Sequence, residues 1–379
     1  MLPVQFRKFC EFSSLPYSPR ALERATIKVK AAVGLLRIES LTAAQQEECR
    51  ASEPPCASPM MSIETDARHA CRKNSYHTDV IALGQETHKI VGIVHVTKDD
   101  EISSQKHEVV GTKKLYEYFD SKGIELQDHA HDRNTSVNKI IRERSGNTTN
   151  TNDRWHAAKS IKKGMMTIAS GPRKNEGKTW HQQLSDKCQP VRNHVYFAMA
   201  TCGGDADTLR ATLLNCVNHF SGDHRCCASE SQCKEVGHVP STLLVKDPIA
   251  LDLLTNFIKS TTVYKHAHDF VRSKDTFYIE SFNNTVLMYL DKRIHYQNKT
   301  YNLRQSLAVL DWNEHVGRTS TSAYRMEDCQ HPDRQGGKKN YCKKSYRFVK
   351  SICDLICQAA SKDNTDSSAS GSLMEDDDE

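Results

Sequence analysis

The chain has 379 residues, a length that accommodates one large domain with an insertion or two ordinary domains with tails. With 26% charged residues and a formal net charge of +5, the composition is globular, and any nucleic-acid surface would be a local patch, because the chain is not a polycation. No apolar stretch approaches the roughly 20 residues that cross a bilayer, so we expect a soluble intracellular protein without a membrane partner.

The N-terminal segment, residues 1–60, combines frequent prolines with one predicted helix over residues 21–36. Proline interrupts regular structure and is typical of turns and linkers. We therefore interpret residues 1–60 as a partly disordered appendage or linker, outside the core.

The following residues predict an α/β arrangement. Runs rich in β-branched residues predict two antiparallel strands over 77–84 and 88–97. Helical spacing over 106–122, with Gly123 just past the last turn, predicts a crossover helix, and partial alternation over 124–132 predicts a strand. Capping-type residues begin two further predicted helices, 134–144 and 153–166, which a polar loop at 145–152 separates. Strands joined by a crossover helix indicate a mixed sheet flanked by helices.

This alternation stops after residue 164 and resumes at residue 269. The intervening residues, 165–268, have the helical, cysteine- and histidine-containing character of an inserted subdomain. The predicted organisation is therefore residues 61–164 and 269–318 as two parts of one α/β domain, interrupted by 165–268. Residues 319–379 are predicted to be a basic segment followed by a disordered acidic tail. The basic segment is interpreted as a solvated charge run, or as a contact to DNA or a nuclear import signal.

Three acidic residues, Asp66, Asp132 and Glu280, are expected where three structural elements converge on one metal site. Carboxylates can hold two divalent ions such as Mg²⁺, which activate the attacking oxygen and stabilise the leaving one in phosphodiester chemistry. Each residue alone also has a simpler interpretation. Asp66 suits a surface salt bridge and Asp132 a helix cap. Glu280 lies in an aromatic segment where burial would require a metal or an ion pair, for instance with Arg293.

The flanks of these acids, taken in order, resemble the catalytic region of a cut-and-paste DDE transposase of the Kolobok type or a domesticated relative. The resemblance spans about residues 66–318. It rests on Asp66-Ala-Arg-His69, His131-Asp-Arg133, Asp153-Arg-Trp-His-Ala-Ala-Lys-Ser-Ile-Lys-Lys163, Cys216-Val-Asn-His219, Tyr278-Ile-Glu280, Lys292-Arg293 and Ser306-Leu-Ala-Val-Leu-Asp-Trp-Asn313. It implies an RNase H-like mixed sheet with a helical insertion. It also implies that Asp66, Asp132 and Glu280 are the catalytic acids and bind Mg²⁺ or Mn²⁺.

The resemblance further implies DNA strand cleavage and transfer in the nucleus, with double-stranded transposon ends and target DNA as partners and a homo-oligomer as the active form. An alternative is a truncated, inactive or domesticated remnant that acts as a DNA- or protein-binding module. Residues 1–60 favour that alternative, because they offer only Cys10, Cys49 and Cys56 toward a zinc-binding recognition domain. A third possibility, an RNase H-like nuclease acting on RNA hybrids or DNA junctions, would not explain the long insertion.

Basic residues near the acids are candidates for phosphate contacts, which bind DNA without reading its sequence. On the helix that follows Asp132, Trp155 and Lys159 share one face. Trp155 is interpreted equally well as a core anchor. We expect Leu303, Leu307, Leu310 and Trp312 to be core. The predicted DNA-binding residues are Arg68, Arg133, His156, Lys159, Lys292, Arg293 and Arg304.

The insertion contains a candidate zinc site. Cys216 and His219 can point the same way from a helix, and further possible ligands follow closely: His224, Cys226, Cys227, Cys233 and His238. Zinc accepts four ligands from such a set. The absence of a paired CxxC spacing argues against zinc, and a buried cysteine with a helix-pairing histidine is the alternative.

Overall fold

A computed structural model of the protein describes residues 10, 13, 18–52, 59–70, 74–144, 148–229, 231–237, 239, 242–325 and 337–370. The chain divides into two units. The first unit comprises Met1–Pro55, Arg68–Gln105 and Ser281–Glu379, and the second comprises Cys56–Ala67 and Lys106–Glu280. Within the described residues, no helix combines the length and the apolar character needed to cross a membrane.

Five strands form a mixed sheet of order β3-β2-β1-β4-β5. The strands are β1 (Met60–His69), β2 (His77–Gly84), β3 (Ile90–Thr97), β4 (Glu125–His131) and β5 (Thr149–Asn152). Strands β2 and β3 are antiparallel, whereas β4 runs parallel to both β1 and β5. The predicted hairpin and the mixed sheet flanked by helices are confirmed.

The helices are α1 (Pro19–Ala51), α2 (His107–Ser121), α3 (Thr135–Glu143), α4 (Arg154–Ala169), α5 (Cys188–Thr201), α6 (Ala206–Ser221), α7 (Pro248–Ser260), α8 (Thr262–Lys265), α9 (Phe277–Val286), α10 (Asn298–His315) and α11 (Arg347–Ser370). The predicted C-terminal end of α2 and the predicted starts of α3 and α4 are confirmed by their caps, whereas α4 continues to Ala169, three residues beyond its predicted end. Gly123 has a φ of 65°, in the left-handed region that favours glycine after a helix. The Asn134 and Asp153 side chains accept backbone hydrogen bonds at the start of α3 and α4.

The polar loop predicted at 145–152 is wrong for its last four residues. These residues form β5, and Asn150, Thr151 and Asn152 are buried beside β4. The sequence of this strand, Thr-Asn-Thr-Asn, is polar throughout and lacks the apolar alternation that predicts a strand. Residues 145–147 lie outside the described part of the chain.

In the second unit, the described part of residues 165–268 forms α5, α6, α7 and α8, together with short 3₁₀ turns and one isolated bridge between Glu176 and Trp180. These helices and α4 surround a single apolar cluster, which includes Ile161, Val195 and Leu213. This cluster fixes α4, whose first turn carries part of the candidate site described below.

The interpretation of residues 1–60 as a linker is wrong for α1. Helix α1 packs against α10 and α11, and a cluster formed by Ala32, Val33, Leu310, Phe348 and Ile352 is buried between these three helices. Prolines near both ends and many exposed polar residues concealed this narrow buried stripe. The other parts of residues 1–60, Cys56 among them, lie outside the described residues.

The predicted core positions of α10 are confirmed for Leu310, which is buried, and Leu303 and Leu307 are half-buried against the same cluster. Trp312 is also half-buried, and its Nε1 donates to the His88 carbonyl at 2.8 Å. Beyond α10, β6 (Ser320–Arg325) and β7 (Gly337–Tyr341) form an antiparallel hairpin before α11. The end of the predicted acidic tail, residues 371–379, and residues 326–336 lie outside the described residues.

Candidate functional site

Asp66 lies in β1, and Asp132 is the residue that follows β4, the parallel neighbour of β1. The pairing of β1 with β4 ends at Glu64 and Ala130, each of which stands two residues before one of the two acids. Parallel strands lie about 4.8 Å apart, and side chains paired across them point to the same face. The two carboxylates therefore lie near each other where β4 ends, close enough for the charge of Asp66 to act on Asp132.

The carboxyl group of Asp132 is in an environment that disfavours its charge. Burial raises its pKa to about 6, the negative charge of Asp66 contributes, and His156 opposes the shift. The next residue, Arg133, has a φ of 59°, in the left-handed region that non-glycine residues rarely adopt. Such outliers cluster at functional sites. A bound cation would relieve the repulsion between the two carboxylates.

Asp132 and Glu280 lie on either side of one imidazole, that of His156. The Nδ1 atom of His156 is 3.1 Å from a carboxylate oxygen of Asp132, and its Nε2 atom is 3.9 Å from Oε1 of Glu280. His156 was predicted to contact DNA, but its nearest partners are carboxylates. The structure thus brings all three predicted acids to one region of the second unit.

Asp153 also belongs to this region, although the sequence predicted it only as the residue that begins a helix. It is 1% exposed. Its Oδ1 accepts the backbone N–H of His156 at 2.6 Å, and its Oδ2 accepts both the backbone N–H and the hydroxyl of Thr276, at 2.8 and 2.9 Å. Asp132, Asp153 and His156 lie close enough together to hold a metal ion. Because both oxygens of Asp153 already accept hydrogen bonds, Asp132 is the carboxylate with more capacity for a metal.

Glu64 was missed by sequence reasoning. It is 4% exposed, and its Oε1 accepts the backbone N–H of Ile279 at 3.2 Å. This bond joins β1, which carries Asp66, to the first turn of α9, which carries Glu280. Burial, followed by the charge of Asp275, raises the pKa of Glu64 to about 8. The signal in the sequence was the two-residue spacing between Glu64 and Asp66, which places both on one face of a strand.

The expected surroundings of Glu280 were wrong. Its side chain is 52% exposed, so no desolvation has to be offset by a buried ion pair. The suggested partner Arg293 is exposed, and its backbone N–H donates to Asp291 at 2.8 Å. Because α9 begins at Phe277, the glutamate lies in the first turn of a helix and points outward instead of into an aromatic core.

Two predicted DNA-binding residues serve the packing of the first unit. Arg68, with a side chain only 2% exposed, lies 3.8 Å from Asp79 and donates to the Leu290 carbonyl at 3.0 Å. This prediction is wrong, because a buried guanidinium cannot reach a phosphate. Arg304 is half-buried, and it donates to the Tyr289 carbonyl at 2.7 Å, which holds it away from a ligand. Arg72 and Lys73, cationic neighbours of Asp66 in the sequence, lie outside the described residues.

The other basic candidates remain accessible. Lys159 is exposed, and its ammonium lies 4.4 Å from the ring centroid of Trp155, which confirms their common helix face. Arg133 is half-buried, and its Nε lacks a hydrogen-bond partner. Lys292 and Arg293 are exposed residues of the first unit.

An aromatic cleft of about 530 Å³ adjoins the carboxylates of the second unit. Its walls include Trp155, Tyr196, Phe277 and Tyr278, together with Glu280. Phe277 is 62% exposed and Trp155 39% exposed, so Trp155 is not a core anchor. Exposed aromatic rings can stack on the bases of a nucleic acid. Carboxylates beside them can hold a metal ion near its phosphates.

Of the two residues predicted to bind zinc together, Cys216 does not lie with the other possible ligands, whereas His219 does. Cys216 lies in a buried stripe of α6 with Leu209, Leu213 and Phe220, and burial raises the pKa of its thiol to about 12. His219 lies beside this stripe and belongs to a group with His224, Cys227 and Cys233. Cys216 is absent from that group, because the apolar face of the helix turns it inward. His238 lies outside the described residues.

No protein-family model and no curated protein matches the chain. The chemistry of the site therefore rests on its own residues.

Proposed function

We propose that the second unit cleaves and transfers DNA strands, with Asp66, Asp132 and Glu280 holding two divalent cations on an RNase H-like fold. The observation that carries the proposal is the proximity of Asp66, on β1, to Asp132, which directly follows the neighbouring parallel strand β4. The approach of Asp132 and Glu280 to His156 adds the third acid. The resemblance of the flanking motifs to Kolobok-type transposases supports the same reaction.

The donor set suits Mg²⁺ or Mn²⁺. These hard cations prefer carboxylate oxygens. Burial, followed by the negative charge of Asp66, raises the pKa of Asp132, and a bound cation would offset both effects. Two such ions, when bound, would activate the attacking oxygen and stabilise the leaving oxygen. The protein would contribute the position of each acid. Asp153 holds the start of α4, and Glu64 holds the first turn of α9.

The proposed substrate is DNA. Trp155 and Phe277 offer stacking surfaces in the cleft, and Lys159 adds positive charge at its rim. Stacking tolerates any base sequence, and basic side chains bind phosphates. A nuclear location and a homo-oligomer acting on transposon ends and target DNA belong to the same proposal.

The test is nicking of supercoiled plasmid in Mn²⁺, a substrate that requires no knowledge of cognate ends. We expect the unaltered protein to nick the plasmid and Asp132→Asn to abolish nicking. Asp252→Asn is the matched control, because Asp252 is an exposed residue of α7 outside the site, and it should retain the activity. Unchanged nicking by Asp132→Asn would refute the proposal.

The alternative, a binding module without catalysis, predicts a different result in the same experiment. The unaltered protein would then retain the plasmid in a mobility-shift assay and leave it uncut in Mg²⁺ and in Mn²⁺. Under the leading proposal, binding and nicking occur together and only nicking depends on Asp132.

A further inference from the structure

Four metal-binding side chains converge at the end of α6, on the segment that leaves it. They are His219 in the last turn of the helix, and His224, Cys227 and Cys233 in the chain that follows. One ligand atom from each lies within 4.8 Å of every other, and all four residues are half-buried. These residues take no part in the proposed reaction.

The distances inside this group match those of a tetrahedral metal centre. The two Nδ1 atoms of His219 and His224 are 3.2 Å apart, and Sγ of Cys227 is 3.5 and 3.8 Å from them. Zinc bonds of about 2.05 Å to nitrogen and about 2.3 Å to sulfur, at tetrahedral angles, separate two nitrogens by about 3.3 Å and a nitrogen and a sulfur by about 3.6 Å. Cys227 and Cys233 are also side-chain hydrogen-bond partners.

The backbone arranges these ligands through a reversal at Gly222. This residue ends α6 with a φ of 94°, and its N–H donates to carbonyls of the last turn. A left-handed residue at this position turns the chain back along the helix. The reversal carries His224 to within 3.2 Å of His219.

The segment after this turn has little apolar core to hold it. Val236 is fully exposed, and Val239 and Leu243 are 81% and 80% exposed. The regular structure among its described residues is one short 3₁₀ turn, Gln232–Lys234. Where burial is insufficient to order a segment, a bound metal can supply the missing free energy.

We propose that His219, His224, Cys227 and Cys233 form a structural zinc site that anchors this segment to α6. The ligand set, two histidines and two cysteines, is closed and leaves no position for a substrate, which is typical of structural zinc. The Asn215 amide donates to Sγ of Cys227 at 3.6 Å. Hydrogen bonds from neighbouring side chains commonly orient the ligands of a metal ion in this way. The site is independent of the proposed Mg²⁺ chemistry.

The experiment is zinc analysis of the full chain purified under reducing conditions, together with the absorption spectrum after cobalt replacement. We expect about one zinc ion per chain, and the visible bands of tetrahedral cobalt with thiolate ligands. Cys227→Ser should lose most of the zinc and the thiolate-to-cobalt band. Cys226→Ser is the matched control, because the neighbouring Cys226 is exposed and outside the group, and it should retain both.

Two further variants keep the test decisive if Cys227→Ser fails to fold. Cys233→His supplies a nitrogen ligand in place of sulfur and should retain zinc with an altered cobalt spectrum. Cys216→Ala should retain zinc as well, because Cys216 belongs to the apolar core. Absence of zinc from the unaltered protein after zinc loading would overturn the proposal, as would equal zinc loss in Cys226→Ser and Cys227→Ser.

Discussion

Glu64→Gln tests whether the buried carboxyl beneath the site is protonated in the folded protein. Its pKa is raised from 4.5 to about 8, so at neutral pH the folded state holds a proton that the unfolded state has released. Stability from this group is therefore fully present below pH 4.5 and falls as the pH rises toward about 8. Glutamine cannot ionise, and its side-chain oxygen can still accept the Ile279 N–H.

The magnitude follows from the shift in pKa. Each pH unit above 4.5 costs roughly 1.4 kcal/mol until the folded pKa is reached, which gives roughly 3 kcal/mol at neutral pH. Glu64→Gln should therefore be more stable than the unaltered protein by about 3 kcal/mol at about pH 7, and by less than about 1 kcal/mol at about pH 5. Its advantage should stop growing above about pH 8.

The assay is equilibrium urea unfolding in a Trp312→Phe background. Trp155 and Trp180 then report on the second unit alone. Glu125→Gln is the matched control, because Glu125 is exposed at the start of β4. A Glu64→Gln effect that is the same at both pH values would show that Glu64 is ionised in the folded state and would refute the reasoning.

Three other results are expected. Asp153→Ala removes the N-cap of α4 and two hydrogen bonds to Thr276. In urea unfolding, it should lower the free energy of unfolding of the second unit by roughly 3 kcal/mol. Asp153→Asn keeps an oxygen acceptor and should lower this free energy by less. Trp155→Ala should weaken binding of a fluorescent single-stranded oligonucleotide by roughly 1 to 3 kcal/mol, while Trp155→Phe should retain most of the affinity; equal losses would exclude stacking. Because the pKa of Asp132 is about 6, protons should compete with Mn²⁺ below that pH, and calorimetry should show an affinity that declines as the pH falls. The decline should be absent from Asp132→Asn.

The sequence predicted the sheet best where a strand is apolar or where a helix has clear caps. The β2–β3 hairpin carries β-branched residues on both strands, and Asn134, Asp153 and Gly123 mark helix ends. Strand β5 escaped prediction because its residues are polar, and their burial results from contacts with residues distant in sequence. Helix α1 escaped because only its packing partners show which of its faces is buried.

In the candidate site, too, local sequence predicted some features, whereas contacts between residues distant in sequence decided the others. Asp132 stood at the end of a predicted strand, whereas the strand that carries Asp66, β1, was not predicted and Asp66 was found through its motif. The partners of both side chains could not be predicted. Arg68 stands two residues from Asp66 and is nevertheless buried against Asp79. The spacing of Cys216 and His219 predicted that they bind one metal ion, but Cys216 is buried in the apolar stripe of α6. Short-range spacing gives the residues that can meet, and long-range packing decides which of them do.

Anomalous diffraction from crystals of the protein grown with Mn²⁺ would locate the proposed metal ions. The proposed function predicts Mn²⁺ between the carboxylates of Asp66 and Asp132, with a second ion bound on the side of Glu280. It is contradicted if Mn²⁺ is absent from this region. It is equally contradicted if the ion is held by Asp132, Asp153 and His156 without Asp66.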